Sequence, residues 1–518
     1  MKKKHILLIF LGSIFILLSI FHSNIWFDEA YSVGIANQNL IDIWKVGGHD
    51  VHPVLYYWML RIVCILTNGS VMAYRIFSAM AIILLGILGY THIRKDFGEK
   101  TGILFSFFTY FLPMMAVYAN EIRMYSWALL IVTILAIYSY RIYKGESTIK
   151  NWAIFVISSL ASLYIHYYGL MAAGIINLFL LIYFIKNKKT KEIKLIIGFG
   201  IMQIIAYIPW VLSLLEQMEH VSKGFWIGFE FPQTLFELIG CQMNGTLNSV
   251  PILAIGFGVN LLLFIYLAII LKRNKNKEEF KIAIISIVIY FTVIIAALII
   301  TLILKSSILY YRYLFVITGL YIFAVSNILA KSNNKLILNI ILTITVILAV
   351  FNNIIQIRQN YAKENGEQIK YLKEKIEKDD VLVYSNIGNG SIFAANFLNN
   401  KQYFYNKEDW GVKEAYKVWA PQMETWTTTE FLKYCTGRVW IIDSQDNGFF
   451  SELFDNSEYE RVSTESFNTA YHNYIYNITL VEKKWNIRLE QSDFSRPLFS
   501  PIWVSEWIRD FLLYKKLQ

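Results

Sequence analysis

The feature that most constrains the fold of this chain is a series of long apolar runs between residue 6 and about residue 355. Each run approaches about twenty residues, the length that an α-helix needs to cross the hydrocarbon core of a bilayer. Hydrophobic residues make up 56% of the 518 residues and charged residues only 17%. We predict eleven membrane spans, at residues 6–22, 71–91, 102–119, 123–140, 152–166, 169–185, 195–214, 250–271, 282–304, 309–330 and 335–355.

Basic residues are concentrated in alternate loops between these runs. With the N-terminus inside, the inner loops hold 21 Lys and Arg residues, whereas the outer loops and helix ends hold 7. This asymmetry follows the positive-inside rule. No small-residue cleavage site follows the first run, so we predict a retained signal anchor. The sequence therefore predicts a multi-pass cell-membrane protein with a cytoplasmic N-terminus and an extracytoplasmic C-terminal part.

The composition divides the chain into two parts. Residues 1–355 carry 28 Lys and Arg against 15 Asp and Glu, whereas residues 356–518 carry 20 against 23. The basic excess thus belongs to the membrane part, and it gives no reason to expect a nucleic-acid partner. Residues 366 to about 485 alternate short apolar strands ("VLVYSN", "KQYFY", "GRVWIID", "YIYNITLVEK") with helical segments ("QIKYLKEKIEKDD", "SIFAANFLNN"). The predicted fold class is a polytopic α-helical membrane protein with about eleven transmembrane helices and a C-terminal extracytoplasmic α/β domain.

Two predicted outer loops, residues 23–70 and 215–249, are much longer than the inner loops. Both contain amphipathic stretches that are too short or too interrupted to cross a bilayer, and we expect these to be helices lying in the membrane interface. The stretch "WVSEWIRDFLLYKK" near the C-terminus is a further candidate for an amphipathic helix, resting on the bilayer or on the domain. Elaboration on one side suggests that binding or chemistry takes place there.

Ionisable residues gather at this predicted outer face. The first outer loop holds Asp28 and Glu29 in "WFDEAYS", and then His49, Asp50 and His52; Glu121 and Arg123 share a tight turn, and Arg312 stands among tyrosines in "LYYRYLF". Structural alternatives exist, since an acid at a helix end can simply face water, and Glu121 with Arg123 can form an ion pair that joins two helices. Ionisable groups at membrane depth, however, usually face a protein-lined cavity and mark a functional site.

Together these residue types fit one class of reaction. A carboxylate can accept a proton from a nucleophile, while arginine and tyrosine side chains can hold a phosphate. Sugar transfer from a lipid phosphate needs both, because cations stabilise the charge that grows on the departing phosphate. The open alternatives are a transporter or flippase of lipid-linked saccharides, which predicts charges near the bilayer midplane and broken helices, and a saccharide polymerase or ligase.

Four stretches carry a resemblance to a known class of enzymes. "WFDEAYS", "HPVLYYWMLRI", "AYRIFSAM" and "ANEIRMYSW" resemble segments of the GT-C type integral-membrane glycosyltransferases, in particular the bacterial glycosyltransferase family 39 relatives, similar to protein O-mannosyltransferases and aminoarabinose transferases. The resemblance is densest over residues 24–130, weaker at "YYRYLF", and only architectural for the C-terminal domain.

The resemblance implies a polyprenyl-phosphate-linked sugar donor, a cell-envelope acceptor (lipid, glycan or protein), an extracytoplasmic site and inversion at the sugar carbon. It implies that Asp28 is the general base, with Glu29 beside it, and that Glu121 orients the acceptor or helps to bind a metal. Arg123 and Arg312 are the candidates for the donor phosphate, with Lys223 and Lys305 as alternatives. The other candidate substrate-binding residues are His52, Tyr56 and Tyr311. The chain departs from the His-Pro-Pro of its relatives, because Val54 replaces the second proline.

A metal or disulfide framework is not demanded by the sequence. Asp28, Glu29, His52 and Glu121 are plausible ligands for a divalent cation, yet no local spacing requires one, and we predict no essential cofactor. The three cysteines are far apart and odd in number, so they predict no disulfide framework.

Overall fold

The structure is a computed structural model that describes most of the chain. The described residues are 2–48, 51–223, 227–228, 230–245, 250–274, 277–385, 387–406, 418, 420, 423–435, 437–444, 453 and 458–484. The predicted amphipathic helix "WVSEWIRDFLLYKK", together with His49 and Asp50, lies outside the described residues.

Helices dominate the first 360 residues, as the apolar runs predict. They are α1 (Lys2–Leu17), α2 (Phe27–Ala36), α3 (Leu40–Gly48), α4 (Leu55–Thr67), α5 (Val71–Leu88), α6 (Arg94–Phe97), α7 (Glu99–Phe111), α8 (Pro113–Asn120), α9 (Tyr125–Lys144), α10 (Ile149–Ile165), α11 (Tyr167–Lys186), α12 (Thr190–Ser222), α13 (Gln233–Asn244), α14 (Val250–Arg273), α15 (Lys281–Leu304), α16 (Tyr311–Leu314), α17 (Thr318–Ala330) and α18 (Lys335–Asn360). A π-helical turn joins α5 to α6, and a 3₁₀ turn joins α16 to α17.

Within the described residues, eight helical stretches are long and apolar enough to cross a bilayer, and a bent pair makes a ninth. They are Val71–Phe97, Tyr125–Lys144, Tyr167–Lys186, Thr190–Ser222, Leu253–Arg273, Lys281–Leu304, Tyr311–Ala330 and Lys335–Asn360. Each of the other predicted spans also falls on a helix, α1 of 16 residues or α10 of 17. The polytopic helical fold is thereby confirmed.

The bent pair has an identifiable cause. Helices α7 and α8 meet at an angle of 59°, and Pro113 opens α8. A proline at the first position of a helix has no N–H to donate to the preceding turn, so the chain changes direction there. The bend aims the end of α8, and with it the turn at residues 121–124, toward α2.

The two long loops differ in how well they were predicted. The first contains three short helices, α2, α3 and α4, before the next span begins. The second was expected to begin at residue 215, but α12 continues as one 33-residue helix to Ser222. Residues 215–222 contain no proline or glycine, so nothing in the sequence stops the helix where the apolar run ends.

The C-terminal domain is a six-stranded sheet with helices. Its helices are α19 (Glu367–Lys375) and α20 (Ile387–Ala394), and its strands are β1 (Val381–Tyr384), β2 (Lys401–Tyr405), β3 (Met423–Trp426), β4 (Val439–Asp443), β5 (Tyr459–Asn468) and β6 (Ile475–Lys483). The strand order is β3-β2-β1-β4-β6-β5. The first four of these are parallel neighbours, whereas β6 pairs antiparallel with both β4 and β5. The predicted α/β character is confirmed; β3 and β5 are additional strands.

The C-terminal domain and the start of α2 lie at the same end of the helical bundle. Amide side chains of α18 fix the chain there. Asn353 donates to the carbonyl of Phe15 at 3.0 Å and Asn360 to that of Ser19 at 2.8 Å. These bonds satisfy carbonyl groups that the end of α1 leaves without helical partners, and they hold the segment that leads into α2.

Candidate active site

The site is built around the first turn of α2. Asp28 and Glu29 are the second and third residues of this ten-residue helix. Carboxylates are favoured there because the helix N-terminus presents unpaired N–H groups and the positive end of the helix dipole. Because neighbouring residues on a helix point about 100° apart, the two acids meet different surroundings.

Asp28 pairs with an arginine from the far part of the sequence. Its Oδ2 accepts from Arg312 Nη1 at 2.7 Å, and their side chains are 24% and 14% exposed respectively. The guanidinium also lies over the rings of Trp26, Tyr125 and Tyr310, at 5.0, 6.0 and 5.6 Å from their centroids. The Nε of Arg312 is buried without a hydrogen-bond partner in the described part of the chain. Arg312 therefore keeps an unused donor for an anion.

Glu29 is fully buried and is engaged through both of its oxygens. Arg75 grips it in a bidentate pair, with Nη1–Oε1 at 2.6 Å and Nη2–Oε2 at 2.8 Å. The same carboxylate accepts from the backbone N–H of Ile122 at 3.0 Å and from the Tyr471 hydroxyl at 3.0 Å. Such a paired and hydrogen-bonded charge is stable in a buried place. The geometry makes Glu29 a fixed link between α2, α5, the turn after α8 and the C-terminal domain.

The turn between α8 and α9 brings two more predicted residues to α2. Arg123 is buried, and its Nη1 donates to the backbone carbonyl of Asp28 at 3.0 Å. Glu121 is half-buried, and its Oε2 has no hydrogen-bond partner among the described residues. Burial raises the pKa of Glu121 to about 7, an effect that the nearby Arg312 opposes. A carboxyl group with this pKa can gain or lose a proton near neutral pH.

An apolar cavity begins beside this cluster. Its polar end is formed by His52, His166 and Tyr313, and its wall by leucine and isoleucine side chains of α11, α12 and α15, with a cavity volume of about 200 Å³. The rings of His166 and Tyr313 both lie against that of Tyr125, at 5.6 and 6.4 Å between centroids, and the guanidinium of Arg312 lies over the same Tyr125 ring. Leu170 and Leu214 also line a second apolar groove that runs along α10, α11 and α12. The two spaces share these two lining residues, and we call them together the apolar path.

The remaining predicted residues lie in different places. Tyr311 packs against Tyr310 at 4.6 Å between ring centroids, next to Arg312. Tyr56 is fully buried against Tyr57 and Phe77. Of the alternative phosphate ligands, Lys305 directly follows the cavity-lining Leu304, and Lys223 lies two residues after the cavity-lining Val221.

Several contributors were missed in the sequence. Arg75 was part of a recognised stretch without a role; a charge inside an otherwise apolar span was the signal that could have identified it. Trp26, Tyr471 and His472 gave no signal, because aromatic residues are common throughout this chain.

In the described part of the chain, no group of three or more His, Cys, Asp or Glu side chains is arranged to hold a metal ion. Glu29 is moreover committed to Arg75. We therefore derive no step that depends on a metal.

Comparison with known proteins identifies a solved structure with a similar fold. No protein-family model and no curated protein sequence matches the chain. Among solved structures, the crystal structure of ArnT from Cupriavidus metallidurans bound to undecaprenyl phosphate aligns with a TM-score of 0.58 and 11% sequence identity, covering 92% of this chain and 97% of that one. The apo state of the same protein aligns over the same shares with a TM-score of 0.48. The chain therefore has an overall fold similar to that of ArnT.

Proposed function

We propose that this protein is a membrane glycosyltransferase that moves a sugar from a polyprenyl-phosphate donor to a hydroxyl group of a cell-envelope acceptor, on the extracytoplasmic face. The observation that carries the proposal is the cluster of Asp28, Arg312, Arg123 and Glu121, which is connected through the ring of Tyr125 to the polar end of the apolar path. The similar fold of ArnT, solved with undecaprenyl phosphate, supports the choice of donor lipid.

In the proposed reaction Asp28 is the general base. Its carboxylate takes the proton of the acceptor hydroxyl, and the acceptor oxygen forms a bond to the anomeric carbon from the face opposite the phosphate. The bond between that carbon and the phosphate oxygen breaks, and the electron pair leaves with the polyprenyl phosphate, so the configuration inverts. Arg312 stabilises the growing negative charge with its unused Nε donor, and Arg123 lies beside it. Glu121 orients the acceptor through a polar group other than the reacting hydroxyl, because the single proton of that hydroxyl goes to Asp28.

The apolar path suits the isoprenoid part of the donor. Its lining is mostly apolar, so a hydrocarbon chain loses contact with water along its length. The phosphate then lies where the path meets the arginines. His52 and Tyr311 are proposed to contact the phosphate or the sugar, whereas Tyr56 is proposed to support the site through packing.

The reaction can be tested without knowing the acceptor, because each turnover releases free polyprenyl phosphate. Purified protein in vesicles, supplied with a polyprenyl-phosphate sugar and a total envelope extract, should release polyprenyl phosphate faster than vesicles without protein. Failure to release it with hexosyl, pentosyl and aminosugar donors would refute the proposal.

The phosphate contacts have their own test in the binding of undecaprenyl phosphate. Arg312→Ala should weaken binding by about tenfold or more, because hydrogen bonds to charged groups contribute about 1.5–3 kcal/mol. The control is Arg358→Ala, an exposed arginine near the end of α18, which should bind like the parent. Equal affinity in Arg312→Ala and Arg123→Ala would place the phosphate elsewhere, and Lys223→Ala and Lys305→Ala would then identify the site.

A further inference from the structure

We infer that the C-terminal domain completes the active site, through the turn that joins β5 to β6. In this inference Tyr471 and His472 are positioning residues that hold the first turn of α2, and thereby place Asp28 and Arg312. The assignment of these two groups to catalysis rests on the function proposed above. The contacts themselves do not.

The turn has a defined shape. The N–H of Thr469 donates to the carbonyl of Tyr474 at 3.0 Å, and the Thr469 hydroxyl donates to the carbonyl of Tyr471 at 3.0 Å. His472 and Asn473 have φ angles of 57° and 51°, in the left-handed region that Asn and His adopt more readily than most side chains. The turn therefore presents its side chains in a fixed direction, toward the helical bundle.

Tyr471 reaches the buried ion pair of the site. Its hydroxyl donates to Glu29 Oε2 at 3.0 Å and accepts from Arg75 Nη2 at 3.3 Å. Its own backbone N–H donates to the side chain of Asn365 at 2.9 Å, just before α19. Tyr471 is buried, so these bonds form away from bulk water, where the loss of one partner is costly. The domain thus supplies one of the groups that fix Glu29, the neighbour of Asp28.

His472 acts on the other side of the helix start. Its ring stacks on Trp26 with 4.6 Å between centroids and an interplanar angle of 9°. Trp26 in turn lies under the guanidinium of Arg312, which pairs with Asp28. The contacts run from the hairpin turn, through Trp26, to the arginine proposed to bind the donor phosphate.

A third contact satisfies a backbone N–H group at the N-terminus of α2. The N–H of Phe27, the first residue of α2, donates to the Tyr474 hydroxyl at 3.3 Å. The first N–H groups of a helix have no partner within it, so a group from the C-terminal domain fills a need that α2 cannot meet alone. Helix α20 of the same domain also packs against α2.

These contacts matter because α2 is short. A ten-residue helix is marginal by itself, and its position depends on what packs around it. A displacement of a catalytic group by about 1 Å can reduce the rate by about 10²-fold. The domain therefore contributes to turnover through the position of α2, although its side chains do not touch the reacting atoms.

Three single variants of the full chain test the inference. Tyr471→Phe removes only the hydroxyl; His472→Asn removes the ring but keeps a residue that accepts the left-handed backbone. The matched control is Tyr459→Phe, which removes a buried hydroxyl bonded to the carbonyl of Cys435 inside the domain, at 3.0 Å. All three are compared for melting temperature, for kcat and donor KM, and for hydrogen–deuterium exchange of the α2 amides.

We expect Tyr471→Phe to lower kcat by about tenfold, with donor KM within about twofold. The variant weakens the support of the Glu29–Arg75 ion pair but leaves the phosphate contacts in place. His472→Asn should raise donor KM by about fivefold, because Arg312 loses the support of Trp26. Both should accelerate exchange in α2, whereas Tyr459→Phe should change only the melting temperature. Parent-like exchange in α2 in both hairpin variants would overturn the inference.

The exchange measurement separates the two proposals. If the purified protein releases no polyprenyl phosphate but both hairpin variants still accelerate exchange in α2, the proposed function fails and the hairpin contact stands. If the parent turns over and the variants match it in exchange, kcat and KM, the inference fails and the function stands.

Discussion

At the residue scale, the two adjacent acids of α2 have separate roles. Asp28 remains partly exposed and pairs with Arg312, whereas Glu29 is fully buried and is held by Arg75. The difference follows from their positions around one helical turn, because one faces the charged cluster and the other faces the protein interior. Of the two acids, Asp28 is therefore the one that we propose as the general base.

Asp28→Asn should reduce turnover by about 10²- to 10⁴-fold, the usual contribution of a general base. The change keeps the shape of the side chain and removes its ability to accept the proton. Release of polyprenyl phosphate measures the effect, with Asp42→Asn, a partly exposed acid on α3, as the control. Turnover close to that of the parent would show that another group takes the proton.

Glu121 should give the reaction a pH dependence near neutrality. Its pKa is raised to about 7 by burial, so it is mostly protonated at pH 6 and mostly ionised at pH 8. If the ionised form orients the acceptor, kcat rises as the pH increases through about 7. Glu121→Gln should be slow at every pH and should lack this rise; a variant that retains the rise would assign it to another group.

The raised pKa of Glu121 has the opposite effect on stability, which falls as the pH rises. A carboxyl group whose pKa is raised on folding favours the folded state below its unfolded pKa, and this contribution is lost as the pH rises through the folded value. For Glu121 the window runs from its ordinary value of 4.5 to about 7. An active site that needs the ionised form thus gives up some stability to have it.

At the scale of elements, the arrangement depends on how α2, α5 and the turn after α8 are joined. The junction is the Glu29–Arg75 pair, which also bonds to Ile122 and Tyr471. The bend at Pro113 makes this possible, because it aims α8 toward α2. One buried carboxylate therefore links two helices, the turn after α8 and the C-terminal domain.

Glu29→Gln should destabilise the protein by about 3 kcal/mol, because removal of one partner leaves a buried charge uncompensated. Thermal unfolding in detergent measures the change. The control is Glu99→Gln, whose partner Arg94 lies in a partly exposed pair, where the expected loss is about 1 kcal/mol or less. Equal losses in the two variants would mean that the Glu29 pair is not a special junction.

The strands that sequence analysis missed are those with few buried side chains. Strands β3 and β5 form the two edges of the sheet, and β5 exposes most of its residues. An edge strand that packs on few neighbours carries a weak apolar pattern, whereas the central strands β1 and β4 are buried along their whole length and were predicted correctly. Helix α12 extends beyond its predicted end for a related reason. An apolar run indicates which residues lie in the membrane, but it does not show where the helix ends.

At the scale of the whole molecule, the C-terminal domain and the start of α2 lie at the same end of the bundle. The charge asymmetry of the loops predicts that this end is extracytoplasmic. The domain and the site therefore lie on the same side of the membrane, and a measurement on either one gives the orientation of both.

Cysteine labelling in intact cells tests the orientation. Lys373→Cys, at an exposed position of α19, should react with a membrane-impermeant maleimide, whereas Glu146→Cys, in the exposed loop after α9, should react only after permeabilisation. The three native cysteines are buried and give little background. The reverse pattern would place the site on the cytoplasmic face and exclude an extracytoplasmic acceptor.

The sequence by itself determined the membrane segments, the separate α/β domain and the residues that could carry charge chemistry. These depend on local patterns, since apolar length and periodicity are readable within about twenty residues. Only the tertiary structure decided which acid pairs with which arginine, and that Tyr471 bonds to Glu29 across 442 residues of sequence. The partner of a polar side chain depends on how distant elements pack, and in a chain with 48 lysine and arginine residues and 34 tyrosines many partners satisfy the same local pattern.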